Sequence, residues 1–137
     1  FFKLHKERKM KFNLFGKISV IVVSLALLVG CGTAPVRNVD SAMIPGENSI
    51  STVEKAISRA GAGLGWVMTK KSDGNITGKL ALRSHLAVID ITYDKSSYSI
   101  KYVDSTNLNY TGGEIHTNYN GWIENLQKAI NIQLSIL

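Results

Sequence analysis

The chain is short of most of what would assign it to a specialised class. It has one cysteine and two prolines in 137 residues, and 19% of its residues are charged against 45% hydrophobic. One cysteine excludes an internal disulfide, so a disulfide scaffold is ruled out. The composition also excludes collagen, coiled coil and a wholly disordered chain. No apolar run reaches the 20 or so residues that a membrane-crossing helix needs. The body of the chain also lacks an excess of positive charge, although the formal net charge is +6. Residues 1–30 hold Lys3, Lys6, Arg8, Lys9, Lys11 and Lys17 against Glu7 alone, a balance of +5. From Cys31 onward ten Lys/Arg face nine Asp/Glu, leaving +1. A nearly neutral body cannot neutralise a row of phosphates, so a nucleic-acid partner is not expected.

What is present at the front of the chain is a targeting pattern. After Met10, the basic residues Lys11 and Lys17 precede an apolar stretch from Ile18 to Gly30, and Cys31 follows it. A basic region and a 13-residue apolar core read as a signal peptide over residues 10–30. Phe1 to Lys9 precede Met10 and are read as upstream, non-native sequence with no part in the fold. Leu28-Val29-Gly30-Cys31 resembles the lipobox of bacterial lipoproteins. That resemblance implies a diacylglyceryl group on Cys31, cleavage before it, and acylation of the new amine. Each buried methylene contributes about 0.8 kcal/mol, so two or three chains anchor where one holds only marginally. Gly32 stands where, in the enterobacterial pattern, an aspartate would retain a lipoprotein in the inner membrane. The resemblance therefore implies the outer membrane, with the domain facing the periplasm.

Residues 31–50 read as lipid anchor and flexible tether. Pro35, Pro45, Gly46, Asn38 and Asn48 interrupt any apolar periodicity between Gly32 and Ser49. Eighteen flexible residues would span roughly 25 Å, enough to hold a domain clear of the headgroups.

The globular domain is expected over residues 51–137. Ser51 and Glu54 have the spacing of a capping box. Val53, Ala56, Ile57 and Ala60 then form one helical apolar stripe, which Gly61, Gly63 and Gly65 end. These glycines lack the flanking strand and helix of a phosphate-binding loop. The period next changes to two. Strands are expected over 66–71, 76–83, 86–93 and 98–103, with Ser72-Asp73-Gly74-Asn75 as a hairpin turn. The boundary at Arg83-Ser84-His85 has neither Gly nor Pro, so strands two and three could also form one long bent strand. Ala87, Ile89, Ile91, Tyr93, Tyr98, Ile100 and Tyr102 point inward on this register, and Lys79, Arg83, Asp90 and Lys101 form a solvated charge ladder. A closing helix runs from about Tyr119 to Leu134, with Trp122, Ile123, Leu126, Ala129, Ile130 and Leu137 as its stripe and Asn118 or Asn120 as its cap. The fold class that follows is α+β: a two-layer sandwich of about four antiparallel strands, with an N-terminal and a C-terminal helix on one face.

The stretches 83–93, 98–110 and Ile115-His116-Thr117-Asn118-Tyr119-Asn120-Gly121-Trp122 resemble a group of small uncharacterised proteobacterial lipoproteins. The likeness spans about residues 52–128 and implies the envelope without implying an activity.

The connection from Asp104 to Tyr119 is rich in polar side chains and long for its position, and long ordered loops often carry function. Arg83, His85, Asp104, Asn107, Tyr110, His116, Asn118 and Tyr119 are the candidate binding surface, for a small ligand, an envelope polymer or a protein. Structural use of Asp104, Asn107 and Asn118, capping the loop and stapling it to the last helix, is the competing reading. His85 and His116 lack metal-ligand spacing, and no metal or cofactor is expected. No nucleophile elbow or acid/base pair stands out, so the chain reads as a non-enzymatic structural or interaction module anchored through Cys31.

Overall fold

The computed structural model describes residues 32–137; the signal peptide and the lipidated Cys31 read from the sequence lie outside the described residues. The elements in chain order are β1 (Thr33–Pro35), β2 (Val39–Met43), α1 (Ile50–Gly63), β3 (Val67–Ser72), β4 (Asn75–Leu82), β5 (His85–Tyr93), β6 (Ser97–Thr106), β7 (Glu114–His116) and α2 (Thr117–Ser135). Strands β2 to β6 form one antiparallel sheet in the order β2-β6-β5-β4-β3, and β1 pairs with β7 in a two-stranded ribbon. This is the expected α+β sandwich with one strand more in its sheet than the sequence pattern displays.

Alternation assigns the faces of the sheet. Ile76, Leu80, Ala87, Ile89, Ile91, Tyr98 and Ile100 are buried, while Thr77, Lys79, Val88, Asp90 and Lys101 between them are not. Val53, Ala56, Ile57 and Ala60 of α1 and Tyr119, Ile123, Leu126, Ile130 and Leu134 of α2 complete the same core, so both helices cover one face. Met68 passes between Gly61 and Gly78. A Cβ at Gly61 would lie 2.5 Å from the Met68 sulfur, and one at Gly78 would lie 2.9 Å from Ile89 Cγ1. Glycine at both positions is what lets α1 approach β3 and β4 this closely.

Several boundaries differ from the sequence expectation. The segment 32–49 is not a tether. Val39 and Ile44 are each 5% exposed, and β2 pairs with β6 through Val39↔Ile100 and Met43↔Ser97. A single strand of five residues has too few alternating positions to declare itself, and its partner lies far away in the chain. The N-cap of α1 is Ser49, whose Oγ accepts from Thr52 N at 3.1 Å. Glu54 instead accepts from Tyr93 Oη and pairs with Lys70 Nζ at 3.0 Å. Arg83-Ser84 is a two-residue hairpin with Leu82 opposite His85, and Arg83 takes a positive φ of 56°. Strand β6 continues to Thr106, three residues beyond Val103, after a bulge. Leu137 is half exposed; Leu134 and Tyr119 take the places in the α2 stripe. The cap of α2 is His116 rather than Asn118 or Asn120.

Candidate functional site

The antiparallel register gathers the candidate residues at one end of the sheet. Leu86 lies opposite Thr106, so the Arg83-Ser84 turn and Asn107 are neighbours. Asn107, at a φ of 58°, holds them together: its Nδ2 donates to Ser84 O at 2.9 Å, and its carbonyl accepts from His85 Nδ1 at 2.8 Å. A carbonyl can only accept, so His85 carries its proton on Nδ1. His116 N donates to Leu108 O at 2.8 Å, tying β7 to this turn. The His116 ring uses Nδ1 in the opposite sense, accepting from Asn118 N at 3.1 Å as the cap of α2. That nitrogen must be unprotonated.

The remaining candidates divide between scaffold and surface. Asp104 Oδ1 accepts from Ser105 N at 2.8 Å and is spent on the backbone of β6 next to its bulge. Tyr119 is fully buried and its hydroxyl has no partner among the described residues, so it is withdrawn from the candidate surface; burial pushes its ionisation well above the ordinary tyrosine range. Tyr102 lies edge-on to Tyr119 with centroids 5.6 Å apart, and Tyr110 stacks on the far side of Tyr102 at 4.3 Å. Tyr110 is the exposed end of this column, at 46%. Arg83 stands exposed at the tip of its turn and belongs to no ion pair among the described residues. Asn118 is exposed and engaged through its backbone N–H. The structure thus brings Arg83, His85, Asn107, His116 and Asn118 to one end of the domain, where the last four are joined by hydrogen bonds to the turns around them.

Three residues outside the candidate set, Leu64, Leu82 and Trp122, complete this end. Leu64 and Leu82 are 43% and 48% exposed, and Trp122 is half-buried with its ring 6.5 Å from that of His85. Leu64, Trp66, Leu80, Trp122 and Asn125 line a shallow cleft of about 70 Å³. Asn120 works on the other side of α2. Its Oδ1 accepts from Arg37 N at 2.8 Å and its Nδ2 donates to Pro35 O at 2.9 Å, so one side chain closes both polar groups of the strand leaving β1. The partners of Asn120, more than 80 residues away, left no signal in the sequence.

Among the described residues no group of three or more His, Cys, Asp or Glu side chains is placed to hold a metal ion, and no helix is long and apolar enough to cross a membrane. No family model matches the chain, and no curated protein or solved structure matches it.

Proposed function

We propose that the protein is a lipid-anchored envelope lipoprotein of the outer membrane, with Cys31 as the attachment site and the α+β domain serving as a structural or protein-interaction module facing the periplasm. The observation that carries this reading is the order of signals in the chain: a basic segment, an apolar run to Gly30, Cys31 as the only cysteine, and β1 beginning at Thr33. A hydrophobic segment of this length fits a signal peptide better than a permanent span. A cysteine immediately after it, preceded by Leu28, Val29 and Gly30, supports lipidation over a chance thiol. The likeness to small proteobacterial lipoproteins points the same way.

The interaction role is supported by how the candidate residues are used. Asp104, Asn107 and His116 are committed to the backbone of β6, to a turn and to the α2 cap, which favours a pre-formed docking end over a ligand cavity. The decisive measurement is the intact mass of protein extracted from membranes of a host expressing the chain from Met10, beside a Cys31→Ala control. A species beginning at Cys31 with diacylglyceryl and acyl masses, missing in the control, is expected. A protein that keeps its apolar segment, or is cut elsewhere without lipid, refutes the proposal. Crosslinking in intact cells then identifies the neighbour.

A further inference from the structure

Resting on the lipidated Cys31 just proposed, we infer that the end of the domain carrying the Arg83-Ser84 turn and the start of α2 is held against the lipid headgroups, with Leu64, Leu82 and Trp122 at the interface. A residue spans at most about 3.6 Å, so the two steps from Cys31 to Thr33 reach about 7 Å. The folded domain consumes the segment that would otherwise have been a tether of roughly 25 Å. A domain begun this close to an embedded lipid has no room to stand away from the bilayer.

The register then says which end is held. Thr33 pairs with His116 at the last residue before α2, and His116 N bonds to Leu108 O beside Asn107. From Thr33 the chain runs away from this end: Asn38 Oδ1 accepts from Tyr102 N, Val39 pairs with Ile100, and Met43 reaches Ser97 at the opposite hairpin. The attachment point therefore sits at the Arg83 end and not at the Asp94–Ser97 end.

The side chains at that end suit the zone between water and hydrocarbon. Trp and Tyr favour this zone because an apolar ring and a polar edge are satisfied together, and Arg reaches the phosphates above it. Leu64 and Leu82 are each about half exposed, and Arg83 has no protein carboxylate to neutralise it among the described residues. The neighbouring surface carries the neutral hydrogen-bonding groups Asn107, Asn109, Thr117 and Asn118 and two exposed carboxylates, Asp104 and Glu114, the latter accepting from Thr33 Oγ1 at 3.1 Å, with no lysine among them. Charge attraction to acidic lipids is not what holds this face; covalent proximity is.

The two tryptophans make the test direct. Trp66 is 3% exposed and Trp122 is half-buried, both at this end. Full-length protein matured in the host is purified, its lipidation verified by mass, and reconstituted into phosphatidylethanolamine/phosphatidylglycerol vesicles carrying bromine near the headgroup. Tryptophan emission is expected to fall relative to unbrominated vesicles, and Trp122→Phe is expected to abolish most of that fall while the protein still floats with the vesicles. Leu82→Asp, at an exposed strand end, is expected to reduce the quenching with the anchor intact. Lipidated, vesicle-bound protein whose emission ignores bromine overturns this inference and leaves the lipoprotein reading standing. Protein that is not lipidated overturns both.

Discussion

Asn120 is the residue on which the placement of β1 turns. Its side chain amide accepts from Arg37 N and donates to Pro35 O, and β1 adds only three residue pairs with β7. An intramolecular hydrogen bond contributes about 0.5–1.5 kcal/mol net. Both bonds here lie near solvent, and water replaces part of their strength. Asn120→Ala is therefore expected to weaken the docking of residues 33–37 by about 1–2 kcal/mol, a 5- to 30-fold rise in local opening. Native-state hydrogen exchange is the assay, because β1 can open without unfolding the sheet. Val36 N, which donates to Gly113 O at 2.9 Å and does not touch Asn120, is the reporter. Its protection should fall by about tenfold, while Ile100 in the centre of the sheet keeps its protection. Asn120→Asp should fall between, since it keeps an acceptor for Arg37 N and sets a carboxylate against the Pro35 carbonyl. If Val36 protection is unchanged in Asn120→Ala, the clamp does not hold β1, and the argument that the domain begins two residues from Cys31 fails with it.

Four further outcomes are expected. Gly74→Ala should lower the urea midpoint by the equivalent of at least about 1 kcal/mol, because Gly74 has a φ of 80° and a Cβ there would lie 2.8 Å from the Tyr93 carbonyl. Ser49→Ala should cost about 1 kcal/mol as the loss of an N-cap, while Ser51→Ala should change the midpoint little; the reverse order would restore the capping box. His116→Ala should also cost about 1 kcal/mol through the α2 cap, and His116→Asn should recover most of it in the same denaturation assay. Burial pushes the Tyr98 hydroxyl from 10.0 up to about 12, so the unfolded chain ionises first and the stability owed to this residue, constant below pH 10, should be lost as pH rises from 10 to about 12. Tyr98→Phe should reduce that slope in urea titrations across this range, with the remainder shared by Tyr119, Tyr93 and Tyr102, which burial shifts in the same direction, and by Lys70, raised by its bonds to Asp73 and Glu54.

How much of this was legible differs element by element, and the differences have physical causes. Strand β5 declares itself because Ala87, Ile89, Ile91 and Tyr93 alternate with polar or half-buried partners over nine residues, and each landed inside. The hairpin at Asp73-Gly74 is equally plain, since glycine readily supplies the positive φ of 80° that Gly74 adopts there. The Arg83-Ser84 hairpin is not, because a positive φ at arginine is supported from outside by Asn107. Of the candidate site residues, Tyr119 is core and Asp104 bonds its own backbone, and neither role was legible. Asn118, Tyr119 and Asn120 are consecutive, and helix geometry sends one to the surface, one to the core and one to a distant strand.

Sequence alone determined the layer architecture, the inward faces of the central strands and the signal-like segment ending at Cys31, because periodicity and short motifs express interactions between residues near one another. Only the tertiary structure decided the fate of residues 33–49. Val39 and Ile44 have no local reason to order; they order because β6 presents an unpaired edge and the core an uncovered margin, and both are assembled from residues more than 50 positions away. The same long-range closure moved the start of the domain from Ser51 to Thr33, two residues after Cys31.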